Sequence, residues 1–147
     1  MAITPKKRYK KTLLTKKKIL DCAYDLFIKY GFDQVTVDDI CHICKITKGT
    51  FYHHFNTKDD LVCIALNNRL DTYLENHFNY DESEDYSKQL SDLISLSFTF
   101  FKSTGKAMIR KATETLTKTN VDVDSALYER YFLNNLNKLI ERGNKGN

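Results

Sequence analysis

The run Thr47-Lys48-Gly49-Thr50-Phe51-Tyr52-His53-His54-Phe55 is the most chemically loaded segment of this 147-residue chain. It offers an ammonium, two hydroxyls, a phenol and two imidazoles beside a glycine that adds no bulk. A short helix of that make-up suits the major groove of a DNA duplex, where base edges present donors, acceptors and the thymine methyl. A second group, Cys41-His42-Ile43-Cys44, has the CxxC spacing of metal or redox chemistry. The same spacing inside a helix also serves two small buried hydrophobes. Zinc needs two further ligands; His42, His53 and His54 are near in sequence, but no second spaced pair exists. A thiol switch is the remaining redox reading, because oxidation inside this segment would spoil it directly. The acidic cluster Asp81-Glu82-Glu84-Asp85 reads as solvated loop charge. There is no Gly-rich phosphate loop and no nucleophile elbow, so neither an enzyme nor a metal or other cofactor is expected.

The elements that must hold this segment follow from caps and apolar spacing. Residues 1–14 read as a basic flexible arm. Thr15 is a plausible N-cap for a first helix to Tyr30, with Ile19, Ala23, Leu26, Phe27 and Tyr30 on one face. Gly31 supplies the positive φ that ends it. Thr36 caps a second helix, Val37 to Cys44, with Asp38 and Asp39 in its first turn. Thr47 caps a third, with Phe51 and Phe55 inward, and Thr57 caps a fourth that runs to about Phe78. Three further helical segments lie near Ser87–Ser103, Lys106–Lys118 and Ser125–Arg142. The first of these has so broad an apolar face that burial on much of its girth is expected. No strand-like alternation of useful length occurs, so the expected class is all-α.

Charge divides the chain. Residues 1–58 carry 12 Lys/Arg against 5 Asp/Glu, and residues 59–147 carry 11 against 14. The basic half contains the candidate reading helix, and cations beside a duplex gain affinity by releasing condensed counterions. No apolar stretch is long enough to span a bilayer. The basic start is followed by no signal-peptide core, so a cytoplasmic location is expected.

Residues 19–66 resemble the N-terminal DNA-binding domain of TetR-type transcriptional regulators. The resemblance lies in Tyr30-Gly31-Phe32, Thr36-Val37, the run from Thr47 to Phe55, and Lys58-Asp59-Asp60-Leu61, in that order. It implies a helix-turn-helix domain over 15–66 and a helical ligand-sensing and dimerisation domain over 67–147. It further implies a cytoplasmic homodimer on a palindromic operator, in most members a repressor released by a small molecule. The DNA-facing residues it implies are Thr36, Thr47, Lys48, Gly49, Thr50, Tyr52, His53 and Lys58, the last as a phosphate-binding lysine. Two departures stand out. Lys45 occupies a turn position where the family often has glycine, at a strain cost if its φ is positive. The family also continues through two long dimerising helices, whereas Glu141-Arg142-Gly143-Asn144-Lys145-Gly146-Asn147 reads like the loop before them. Either the chain is truncated or it dimerises through other surfaces. An interaction module that has lost DNA binding is the corresponding rival reading, beside the redox-responsive binder built on Cys41 and Cys44. In the second domain Tyr73, His77, Phe78, Phe98, Phe101, Met108, Tyr128 and Phe132 are the candidate lining of a site for an apolar or aromatic effector.

Overall fold

The computed structural model of the chain describes residues 5–118 and 130–146, and its described residues are helical apart from turns and short loops. The helices are α1 (Pro5–Tyr30), α2 (Val37–Cys44), α3 (Lys48–His54), α4 (Lys58–His77), α5 (Tyr86–Thr104), α6 (Lys106–Lys118) and α7 (Tyr131–Asn144), with a short 3-10 turn at Phe32–Gln34. The all-α expectation holds. No helix among the described residues is long and apolar enough to cross a membrane.

The first helix starts at Pro5, eleven residues before the Lys16 start that a Thr15 cap would give. The Thr15 hydroxyl donates to the Lys11 carbonyl 3.0 Å away, and Thr12 does the same to Arg8 at 3.1 Å. Both are mid-helix side chains bonded to the preceding turn, not caps. The described part of the basic arm is therefore helix, as its lysines, arginine and leucines favour. Proline is tolerated at the opening position because the missing N–H would be unpaired there. Gly31 closes α1 at φ +85°, with its N–H on the Phe27 carbonyl at 2.9 Å.

The described residues fall into two compact units. One comprises the chain up to Asn68 together with Ala107–Lys118; the other comprises Arg69–Lys106 and the residues from Arg130 onward. The division departs from a simple boundary at residue 66, because α6 groups with the N-terminal unit. The reason is its inward stripe of Met108, Ala112 and Thr115, all buried. The Cys63 thiol donates to the Ala112 carbonyl at 3.1 Å, and the Lys111 ammonium lies 3.4 Å from the Asp59 carboxylate. The core of this unit is Ile19, Leu20, Ala23 and Phe27 of α1, Ile40 and Cys44 of α2, Phe51 of α3 and Leu61, Val62 and Ala65 of α4.

In the second unit α5 packs on α7, around Leu74, Leu93 and Leu139, which are fully buried or nearly so. Helix α5 buries one stripe only: Gln89, Leu93, Ser97, Phe100 and Thr104. Ile94 and Phe98 face outward, so the expectation of burial around most of its girth is corrected. The acidic loop after α4 is more ordered than free charge implies. Gln89 receives the Asp81 N–H and donates to the Asp81 and Glu84 carbonyls. The Arg142 guanidinium donates to the carbonyls of Asp81, Glu82 and Glu84 at 3.2, 3.1 and 2.6 Å.

Helix α7 begins without a cap of its own, because Arg130 makes no side-chain capping bond. Asp71 of α4 accepts the Phe132 N–H at 3.1 Å instead. Burial, the largest influence on this carboxyl, raises its pKa, opposed by the Phe132 amide and by Arg130. A raised folded pKa means that the buried charge costs stability. That cost is absent below the ordinary aspartate range and is incurred in full once the pH has passed the raised value. Asp71→Asn keeps the accepting oxygen and removes the charge, so we expect it to be neutral or stabilising at pH 7. Asp71→Ala loses the cap and should cost about 1 kcal/mol. Thermal denaturation of both variants at pH 5 and pH 7 checks this; equal losses from both would show that the charge, not the acceptor, holds the helix start.

Candidate nucleic-acid interface

The helix-turn-helix is built from caps that the sequence makes plain. The Thr36 hydroxyl accepts the Asp39 N–H at 3.1 Å, while the Asp39 carboxylate accepts the Thr36 N–H at 2.8 Å and its hydroxyl at 2.7 Å. These bonds hold the Asp39 carboxyl below the usual carboxylate range. Thr57 and Asp60 repeat the exchange at the start of α4, at 3.2 and 3.1 Å. At the start of α3 the Thr47 hydroxyl accepts the Thr50 N–H at 3.1 Å, and the two threonine hydroxyls lie 3.0 Å apart. No acidic residue occupies the first turn of α3, in contrast to α2 and α4.

Lys45 makes the turn between α2 and α3 at φ 54°, ψ 50°, the left-handed region. It is the single non-glycine with positive φ among the described residues. Its N–H closes on the Cys41 and His42 carbonyls, which is what a helix C-terminus requires.

Helix α3 is anchored from within and polar without. Phe51 is 0% exposed and Phe55 5%. Their rings lie 6.0 Å apart. Around this anchor Thr47, Lys48, Gly49, Tyr52 and His53 are exposed and Thr50 is half-buried. Tyr52 is 51% exposed, its ring edge-on to Phe51 at 5.2 Å. The Lys48 ammonium lies 2.9 Å from the Asp38 carboxylate, and both side chains are well exposed. That pairing raises the Lys48 pKa. His54 is half-buried, and burial followed by the charges of His53 and Lys16 lowers its pKa. Seven of the eight residues expected to face DNA thus share the surface of α2 and α3.

The eighth, Lys58, has a job of its own. Its ammonium donates to the Phe32 and Val35 carbonyls, each at 2.9 Å, and lies 4.2 Å from the centroid of the Phe32 ring. It ties the α1–α2 turn to α4, with two of its three N–H groups already used. The Lys111 ammonium approaches the same ring at 4.5 Å. Sequence reasoning missed both this clamp and the Asp38–Lys48 pair. Neither has a local signature, since the clamp spans 26 and 23 residues.

The cysteines are packing residues. Cys41, Cys44 and Cys63 are buried and Cys22 is partly so; all four are free thiols. The Cys44 thiol points to the Lys18 carbonyl at 3.9 Å. Burial, and then the neighbouring Cys22, push the Cys44 pKa up to about 12. Burial raises Cys41 and Cys63 as well. A reactive thiol needs the reverse, which removes the physical support for a switch at Cys41 and Cys44. Among the described residues no group of three or more His, Cys, Asp or Glu is placed to hold a metal ion.

The candidate effector residues do not converge. Tyr73 and His77 stack at 4.1 Å, and Tyr73 meets Phe100 at 5.6 Å. Phe101 meets the same Phe100 ring. Phe78 is buried, and its carbonyl accepts the Tyr131 hydroxyl at 2.7 Å. Phe132 is half-buried at the start of α7. Phe98 is 70% exposed, which removes it from any lining. Met108 belongs to the N-terminal unit, where it borders a shallow groove with Phe27, Phe32 and Lys111. Tyr128 lies outside the described residues. In the second unit His77 and Phe78 do border a groove of about 340 Å³, but their companions there include Gln89, Asp92 and Leu96. Helical spacing set the stripe; packing sorted its members to different surroundings.

Comparison with known proteins bears on the same segment. Residues 19–63 match the model of a family described as bacterial regulatory proteins, tetR family. The HTH-type transcriptional regulator QacR of Staphylococcus aureus is 42% identical over 52 residues, 35% of this chain and 28% of that protein. The HTH-type transcriptional regulator UidR of Escherichia coli is 40% identical over 48 residues, 33% of this chain and 24% of that protein. A Bacillus subtilis protein named as an uncharacterized HTH-type transcriptional regulator, YuxN, is 34% identical over 82 residues, 52% of this chain and 28% of that protein. The chain thus spans about a quarter of the length of these relatives. No solved structure matches it significantly.

Proposed function

We propose, for a chain whose residues 19–63 match the model of the tetR family of bacterial regulatory proteins, sequence-specific binding of duplex DNA through α3. The observation that carries this reading is the division of α3 into a buried aromatic anchor, Phe51, and an exposed polar face, Thr47, Lys48, Gly49, Tyr52 and His53. Lys48 reaches guanine O6/N7 or a phosphate, and Thr50 offers its hydroxyl and methyl to a base edge. Tyr52 and His53 donate to phosphates from rigid rings. The α2 N-terminus contributes less, because the Asp39 carboxylate already occupies the Thr36 amide and competes with a phosphate for that end of the helix. Lys58 has one N–H left for a phosphate beyond its clamp.

The finer reading is a repressor that binds as a homodimer, its two reading helices entering successive major grooves about 34–36 Å apart. A small effector releases it by favouring another spacing. The groove bordered by His77, Phe78, Gln89 and Leu96 supports an effector of mixed polar and apolar character rather than a purely aromatic one.

Selection from a pool of randomised duplexes tests the proposal, with enrichment of an inverted repeat expected. Thr50→Ala should then change preference at one base position by roughly 1–3 kcal/mol. Tyr52→Phe should weaken selected and scrambled duplexes alike. Equal losses on both duplexes from Thr50→Ala would refute its base-reading role, and a pool that enriches nothing would refute the function.

A further inference from the structure

Between Thr36 and Lys58 the only acidic residues are Asp38 and Asp39. Asp39 is held by Thr36 in the capping box. Asp38 has no capping duty. Its carboxylate stands on the α2 side of the reading surface, 2.9 Å from the Lys48 ammonium at the start of α3, with both groups open to solvent. We propose that Asp38 sets the specificity of the interface by restraining Lys48; this rests on the reading of α3 as a DNA-binding helix.

The physics is a difference between two classes of DNA. On a duplex without the preferred base in register, Lys48 has phosphates as its available acceptors. To contact one, the ammonium must give up Asp38, and the carboxylate left behind then faces the phosphate backbone with like charge. A preferred site also offers base acceptors, and a Lys48–guanine contact compensates for the broken pair. An exposed pair is weak enough to be exchanged in this way and strong enough to tax each non-specific contact. Thus Asp38 lowers binding to all DNA, and lowers binding to the wrong DNA more.

The test uses the full chain, a duplex selected by the wild-type protein from a randomised pool, and a base-scrambled copy. Asp38→Asn should bind the scrambled duplex roughly two- to fivefold more tightly. The logarithmic salt dependence of that binding should steepen by about 0.9, one additional phosphate contact. The ratio of selected to scrambled affinity should fall. Glu114→Gln, which removes the same charge from an exposed position on α6, should change none of these three quantities. In a Lys48→Met background the steepening of the salt dependence by Asp38→Asn should vanish, since no ammonium remains to take the extra phosphate, and only the smaller gain from removing a like charge is left. The proposal is overturned if wild type discriminates between the duplexes while Asp38→Asn keeps the wild-type slope and ratio. It is also overturned if Glu114→Gln reproduces the change, or if the steeper salt dependence survives loss of Lys48. If wild type selects no sequence at all, the DNA reading itself fails and takes this inference with it.

Discussion

Phe51→Ala is expected to destabilise the N-terminal unit by about 3–5 kcal/mol and to abolish DNA binding without removing a single DNA contact. The ring is fully buried and meets Phe55 and Tyr52. Helix α3 has seven residues, too few to be stable alone, so its helical state depends on tertiary anchors. Truncation leaves a cavity where α3 meets the core, and the cost combines lost burial with incomplete collapse. Urea denaturation followed by circular dichroism measures it. A midpoint equal to that of wild type would mean that the ring does not hold the helix.

Gly49→Ala should do the opposite: preserve or slightly raise stability and destroy function. An added Cβ would meet only the Thr47 hydroxyl oxygen at 3.7 Å, an ordinary contact, and the backbone there is not in a positive-φ region. Nothing among the described residues requires glycine at this position, where alanine would favour the helix by roughly 0.5–1 kcal/mol. The bare backbone matters for what approaches from outside. A methyl group on that surface should weaken binding to a selected duplex about tenfold or more, comparable to the loss of one good base contact. Thermal denaturation and gel shifts on the same preparation separate the two effects. Unchanged binding would show that DNA does not approach α3 at Gly49.

Much of the reading head is legible in the sequence because its elements are punctuated. Thr36 and Thr47 stand where caps should, and α2 and α3 follow them directly. Phe51 and Phe55 fall inward by helical spacing alone. Lys45 illustrates a limit: sequence flags the position, but only the fold shows that its φ is 54°. The start of α1 was misplaced because a threonine followed by apolar spacing looks the same at a cap as at mid-helix. The alternatives differ in whether the hydroxyl meets an amide ahead or, as at Thr15, a carbonyl behind. Lys58 shows the other limit. A lysine at a helix start reads as a free cation, and only three-dimensional packing reveals the two carbonyls that occupy it. The aromatic residues proposed to line an effector site show a related limit. Periodicity says which residues share a face of one helix, and is silent about whether a neighbour covers that face, as Phe98 demonstrates.

The borrowed start of α7 binds two places in the gene to one another. The instruction to begin that helix is written at codon 71, some sixty codons before the helix itself. Drift at either place is thus judged by the other, and a segment grafted from a relative would arrive without its initiation signal unless the matching turn of α4 travelled with it.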